Sequence, residues 1–88
     1  MANDSTEIIQ KVIEVQARHT LRLMSIQHVV GVAVGMRKVA GKTTDEICLV
    51  VMVDNKIALE ALPESDRLPR EIDGVVIDVQ EIGILTAQ

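Results

Sequence analysis

The sequence predicts a small α+β domain in which a long N-terminal helix packs on a three-stranded, mostly antiparallel sheet. Residues 6–25 place apolar side chains at helical spacing, whereas three later segments alternate or run continuously apolar as strands do. With 88 residues, 48% of them hydrophobic, there is room for one domain and one modest core. We expect a single domain at 1–88, with the helix at 1–26, a β-rich core at 27–83 and a tail at 84–88.

The helix is predicted from about Thr6 to about Ser25. Asp4 and Ser5 are good N-cap residues, and Asp4 with Glu7 has the spacing of a capping box. The apolar positions cover a wider arc than one small sheet requires, which indicates a second packing partner. They are Ile8, Ile9, Val12, Ile13, Val15, Leu21, Leu23, Met24 and Ile26.

The first strand is predicted at residues 29–36, and it carries two glycines. Strict alternation would put Val30, Val32, Val34 and Met36 on one face and Val29, Gly31, Ala33 and Gly35 on the other. Glycine inside a strand costs conformational entropy, so the pattern indicates that something approaches this face closely. The approaching group could be a helix, another subunit or a ligand.

A hairpin loop at 37–45 leads to a second strand at 46–53 that is apolar on both faces. One face carries Ile47, Leu49, Val51 and Val53, and the other carries Cys48, Val50 and Met52. In a protein this small, a doubly covered strand usually needs another chain. The predicted interaction site therefore consists of Gly31, Ala33, Gly35, Cys48, Val50 and Met52.

The rest of the chain is predicted to cross back over the sheet. A short helical turn at 57–62 is stopped by Pro63, and the charged residues 64–72 form a surface connection. After the Asp73-Gly74 turn, a third strand places Val75, Ile77 and Val79 inward. Asp78 and Gln80 face outward, which is typical of a strand near a sheet edge.

Composition excludes several classes of partner. Without Phe, Tyr or Trp there is no platform for base stacking, and the net charge of −4 disfavours phosphate backbones, so we expect no nucleic-acid partner. No apolar run reaches the roughly 18–20 residues that span a bilayer, so no membrane partner is expected. The polar, acidic start is unlike a signal peptide, and the single cysteine, Cys48, excludes an internal disulfide. These features predict a soluble, cytoplasmic protein.

Charge is unevenly distributed along the sequence. Residues 1–43 hold six basic and three acidic side chains, whereas residues 44–88 hold three basic and ten acidic ones. This asymmetry could orient head-to-tail self-association, although a charged run is more often a solvated face.

Catalytic motifs are missing from the pattern. There is no P-loop, zinc quartet or nucleophile elbow, and residues 31–35 lack the third glycine and the helix of a dinucleotide fingerprint. The acidic residues of 66–78 match no calcium loop. Cys48 in mid-strand is typical of a small buried hydrophobe. We therefore expect no catalytic residue, no cofactor and no metal.

Three segments in order carry a family resemblance: the valine-glycine strand at 29–35, the apolar strand at 47–53, and Leu68-Pro69 followed by Glu71-Ile72-Asp73-Gly74-Val75. Together they resemble an accessory domain that precedes trypsin-like serine protease domains in many bacterial proteins and in the narrow-leaf type proteases of plants. The match covers about residues 27–83. Ala33 stands where glycine is common in that family, and no catalytic residue has a counterpart here. The resemblance implies a domain that packs on, or assembles, a protease.

The sequence thus favours a non-catalytic assembly or partner-binding domain that forms a homo-oligomer and is linked to a trypsin-like protease. The alternative is a protease-directed regulator, either inhibitor or substrate, that presents the 64–72 loop through Arg67, Leu68 and Arg70. A small enzyme using paired acids or a reactive Cys48 is the least favoured class.

Overall fold

The computed structural model describes residues 4–64 and 67–82. Its elements are α1 (Asp4–Met24), β1 (Val29–Val39), β2 (Lys42–Val53), α2 (Lys56–Glu60), β3 (Glu71–Ile72) and β4 (Val75–Glu81). The predicted cap by the Asp4 side chain and the predicted 84–88 tail lie outside what is described. Neither helix in the described ranges is long and apolar enough to cross a bilayer.

The sheet confirms the α+β class with its N-terminal helix but differs from the prediction in strand number and direction. Within residues 4–64 and 67–82, four strands lie in the order β1-β2-β4-β3. β1 pairs antiparallel with β2, β2 pairs parallel with β4, and β3 pairs antiparallel with β4. The parallel pair arises because the chain crosses back through α2 before it enters β4.

The fourth strand comes from the segment predicted as a surface connection. Glu71 and Ile72 pair with Val76 and Val75 across the Asp73-Gly74 turn, and the amide of Ile77 donates to the Arg70 carbonyl at 2.9 Å. β4 therefore lies between β2 and the two-residue strand β3, next to the edge of the sheet, as its half-exposed pattern predicted. The inward positions of β4 are confirmed, since Val75 and Ile77 are buried in the core.

The core lies between α1 and one face of the sheet. Val12, Val15 and Leu23 of α1 are buried there with Leu49, Val51 and Val53 of β2, which are fully buried. α2 adds Leu59, and its first turn is capped by the Asn55 side chain, which accepts a hydrogen bond from the Ala58 amide at 2.9 Å. Gln16 Nε2 donates to the Val32 carbonyl at 3.1 Å and so fixes the middle of α1 above β1.

The β1–β2 hairpin is longer than predicted because its loop is only Ala40 and Gly41. Both residues have positive φ, 52° and 79°, as a two-residue type I′ turn requires. The predicted loop at 37–45 is thus mostly strand, with an irregularity where Arg37 faces Thr44, Asp45 and Glu46. The Thr44 hydroxyl donates to the Arg37 carbonyl at 2.8 Å and bridges this gap.

A bulge at Val30 changes which residues of β1 face the core. Val29 pairs with Val53 and Gly31 pairs with Met52, so Val30 is an extra residue in the ladder. Val29 consequently lies in the core beside Val32 and Val34, while Val30 is exposed. Strict alternation had placed Val29 with the glycines, and that assignment is wrong because the bulge shifts the alternation by one position.

The charge asymmetry of the sequence is reduced by the fold. The Arg37 guanidinium lies 3.0 Å from the Glu46 carboxylate, and Arg18 lies 3.8 Å from Asp73. Both pairs join a basic residue of the first half to an acidic residue of the second, so part of the asymmetry is neutralised locally.

Replacing Ala40 with asparagine should stabilise the domain by about 0.5–1 kcal/mol. Alanine is strained by about 1 kcal/mol at positive φ, whereas Asn-Gly is a preferred type I′ pair. Urea unfolding followed by circular dichroism at the helix band measures this, and Gly41→Ala is the matched control. Nothing lies within 4 Å of a Cβ built at Gly41. The Gly41→Ala variant should therefore lose stability through backbone strain alone. An unchanged or lower stability in Ala40→Asn would contradict the turn assignment.

Candidate functional site

The six predicted interaction residues lie on one face of the sheet, opposite α1. Gly31 pairs with Met52, Ala33 with Val50 and Gly35 with Cys48, which places all six together across the β1–β2 ladder. We call this set the glycine face. It is continuous with Asp78 and Gln80 of β4, because Asp78 pairs with Val50 and Gln80 with Met52 in the parallel ladder.

Side chains of the neighbouring strand fill the space above the two glycines. A Cβ built on Gly31 would lie 2.7 Å from Met52 Cε, and one on Gly35 would lie 3.0 Å from Val50 Cγ2. The close approach that the sequence indicated therefore comes from β2 itself. This leaves the role of the face in binding a partner as a prediction.

Two polar side chains cross the glycine face from β4 to β1, a link that the sequence did not reveal. Asp78 Oδ2 accepts hydrogen bonds from the Lys38 amide at 2.9 Å and from Gln80 Nε2 at 2.8 Å. Gln80 Nε2 also lies 3.4 Å from the Met36 carbonyl oxygen. Because β2 lies between these two strands, the bridge passes over it. Cys48 and Val50 are buried beneath this region.

Cys48 is a buried thiol with a weakened acidity. Its pKa is raised to about 11, mainly by desolvation and further by the negative charges of Asp78 and Glu46, while Arg37 opposes the rise. The thiolate is the nucleophilic form of cysteine, and burial and this pKa both disfavour it. Cys48 therefore has the environment of a packing residue.

A second apolar surface lies on α1 away from the core. It consists of residues at i, i+4, i+8, i+11 and i+15, which share one stripe of a helix. They are Ile9, Ile13, Ala17, Thr20 and Met24, and we call them the α1 stripe. Ile9, Ile13 and Met24 are 37%, 48% and 42% exposed. The Thr20 hydroxyl is already bonded to the Gln16 carbonyl, so it needs no solvent partner.

The α1 stripe lies on the side of the helix that faces the β1 edge. On the opposite side, His19 Nε2 lies 3.1 Å from Asp73 Oδ2 in the β3–β4 turn, and Arg18 approaches the same carboxylate. Gln16, between the two sides, reaches β1. β1 ends the strand order, so one of its edges pairs with no other strand among the described residues.

In the predicted exposed loop, the described residues 67–72 are held against the sheet. Leu68 is half-buried and packs on the core, while Arg67 and Arg70 are exposed. Arg67 Nε donates to the Leu62 carbonyl at 2.9 Å, and the Arg70 carbonyl accepts from β4. An open groove of about 670 Å³ lies between this segment and the C-terminal half of α1. Residues 4–64 and 67–82 contain no cluster of ligands suited to a metal ion.

Alanine at Gly35 should destabilise the domain more than alanine at Gly31, by about 1 kcal/mol or more. The β-branched Val50 that a Cβ at Gly35 would meet is stiff, whereas the Met52 terminus at Gly31 can rotate away. Urea unfolding of the two single variants measures the difference. In the double variant Gly35→Ala with Val50→Ala, the penalty for the Gly35 change should shrink. Equal losses in both single variants would contradict this packing.

The stability of the domain should fall above about pH 9 partly through Cys48. Its pKa is raised from 9.0 to about 11 on folding, so the unfolded state loses its proton first. The contribution of the neutral Cys48 thiol to stability is full below pH 9, the pKa of the unfolded state. It is lost as the pH rises through about 11, the pKa of the folded state. Unfolding curves at pH 8, 9, 10 and 11 for the wild type and Cys48→Ala measure this. The difference in stability between them should narrow with pH, and a constant difference would contradict a buried neutral thiol.

The comparisons with known proteins identify the family of this fold. A search of the curated proteins finds no match. The family model described as the NARROW LEAF 1 N-terminal domain matches residues 5–82, which takes in α1 after Asp4, the four described strands and the glycine face. The narrow-leaf part of the resemblance is thereby confirmed, whereas the association with a trypsin-like protease stays a prediction. Since the match covers most of the chain, the protein belongs to the NARROW LEAF 1 N-terminal domain family.

Proposed function

We propose that this domain is a non-catalytic assembly module that self-associates. The observation that carries the proposal is the α1 stripe, because a helix that served only one small sheet would need only the buried positions Val12, Val15 and Leu23. Ile9, Ile13 and Met24 extend the apolar arc beyond the core. An apolar patch of this kind on a small domain is characteristic of a contact surface.

Association supplies the missing cover for these side chains. Each Å² of apolar surface removed from water contributes about 25 cal/mol, so burying several half-exposed isoleucine and methionine side chains contributes several kcal/mol. The α1 stripe has no charged member and its one hydroxyl is bonded internally, so little polar desolvation opposes its burial.

A non-catalytic role agrees with the environment of the one cysteine. Burial and a pKa of about 11 both disfavour a Cys48 thiolate. Asp73 and Asp78 are bonded to His19 and to the Lys38 amide, so each carboxylate already has a structural partner. We place the module in the cytoplasm, beside a trypsin-like protease. That placement rests on the free thiol and on the family resemblance in the sequence.

The alternative role of a protease-directed regulator has weaker support. Such a regulator would present Arg67 or Arg70 to the protease on a segment raised from its surface. Leu68, between them, packs on the core, and the Arg70 backbone is bonded to β4. These contacts favour a connecting role for the segment.

The native mass of the purified chain should be an integer multiple of 9.6 kDa greater than one. Light scattering with refractive-index detection measures it, since a chain without Trp or Tyr absorbs too little at 280 nm. Dilution should release the 9.6 kDa protomer, and high salt should leave the assembly intact because apolar burial is not screened. A protomer mass at every concentration would contradict self-association.

A further inference from the structure

We infer that the tip of the β1–β2 hairpin is a flap that opens without unfolding the domain, and that Asp78 is the latch that holds it closed. The flap consists of residues 37–46, which lie beyond the pair formed by Met36 and Ile47. When closed, it covers the part of the glycine face that contains Cys48. The inference does not depend on the proposed self-association, because it concerns the face opposite the α1 stripe.

The flap has little packing of its own against the core. Eight of its ten residues are exposed, and the other two, Arg37 and Thr44, are half-buried. β4 pairs with β2 only from Leu49 to Val53, so among the described residues no strand continues the sheet beside the β2 half of the flap. Segments with few buried contacts are those that open at the lowest free-energy cost. We therefore expect the flap to open before the core does.

Bonds inside the flap let it move as one unit about an irregular base. The Arg37 guanidinium lies 3.0 Å from the Glu46 carboxylate, and the Thr44 hydroxyl donates to the Arg37 carbonyl at 2.8 Å. At the base, one residue of β1, Arg37, faces three residues of β2. Such an irregularity interrupts the ladder and bends the strand. The hinge of the flap is therefore at Arg37.

Asp78 ties the flap to the far side of the sheet. Its Oδ2 accepts a hydrogen bond at 2.9 Å from the amide of Lys38, a residue of the flap 40 positions away. Gln80 Nε2 donates to the same oxygen at 2.8 Å and so holds the carboxylate in position. A hydrogen bond to an ionised carboxylate is roughly twice as strong as a neutral one. Asp78 is thus the side chain of β4 that holds the flap down.

Cys48 marks the place that the closed flap covers. It is fully buried although it lies on the face opposite α1, and its β1 neighbour Gly35 has no side chain to cover it. The pKa of the thiol is raised mainly by burial and further by Asp78 and Glu46, and it is lowered by Arg37. Arg37 and Glu46 belong to the flap, and Asp78 is the latch. The charged groups beside the thiol are therefore those that separate when the flap opens.

Asp78→Ala tests the latch, with Asp45→Ala as its matched control. Asp45 is an exposed carboxylate of the flap, so the control removes the same charge and leaves the acceptor of the Lys38 amide in place. The readout is the rate at which excess N-ethylmaleimide labels Cys48 at neutral pH, followed by mass spectrometry. Because the thiol is buried, only open molecules react. Asp78→Ala should raise the rate at least about tenfold, as expected for the loss of a charge-assisted hydrogen bond, and Asp45→Ala should leave it unchanged.

Urea distinguishes opening of the flap from unfolding of the whole domain. The free energy of an opening step falls with urea in proportion to the surface that the step exposes. Below the unfolding transition seen by circular dichroism, the labelling rate should therefore change little with urea, in the wild type and in Asp78→Ala alike. A rate that rises with the full slope of global unfolding would mean that Cys48 reacts only in the unfolded chain, which overturns the flap.

The variants decide the latch separately. A folded Asp78→Ala variant that is labelled at the wild-type rate overturns it, and so does an equal increase in Asp45→Ala. Should Asp78→Ala fail to fold, Gln80→Ala takes its place, since it removes the group that positions the carboxylate and should also raise the rate. Faster labelling in the latch variants alone, with a shallow dependence on urea, supports the flap and its latch. None of these results changes the native mass, so self-association stands or falls on its own test.

Discussion

Burial of β2 on both of its faces is the constraint on which the rest of the fold depends. Leu49, Val51 and Val53 face α1, while Cys48 and Val50 face the opposite side, and all five are buried. A strand in that position needs neighbours on both edges and cover on both faces. β1 and β4 supply the edges, and α1 covers one face. No helix covers the opposite face among the described residues. Side chains of the neighbouring strands cover that face instead.

The glycine face is the means by which a single sheet provides that cover. Gly31 and Gly35 leave room for the Met52 and Val50 side chains to lie over β1, which broadens the apolar surface on this side of the sheet. Asp78 and Gln80 then extend from β4 across β2 to the β1 backbone. A larger residue at Gly35 would collide with Val50 before any partner arrived. Gly35 is therefore needed for packing inside the protomer, whatever else the face binds, whereas the flexible end of Met52 makes Gly31 less strictly required.

The sequence was most informative where local periodicity decides the structure. The helix was predicted at 6–25 and is found at 4–24, and the six residues of the glycine face share a side as alternation predicts. β3 was missed because two polar-flanked residues carry no periodic signal, and the strand exists only through its pairing with β4. The bulge at Val30 was missed because alternation assumes an unbroken ladder. The Asp78 bridge joins residues 40 positions apart and depends on a parallel pairing that no local pattern reveals.

These differences also change which surface remains available for association. The sequence predicted that a second chain would cover the glycine face. The Cys48 and Val50 side chains of that face are already buried within the protomer. The apolar surplus lies instead on α1, where the wide arc of the helix had indicated a second packing partner. Ile9, Ile13 and Met24 stay partly exposed there, so a contact on this side of α1 would remove apolar surface from water. The α1 stripe lies on the α1 side of the sheet, so a contact made through it would leave the glycine face of each copy outside that interface.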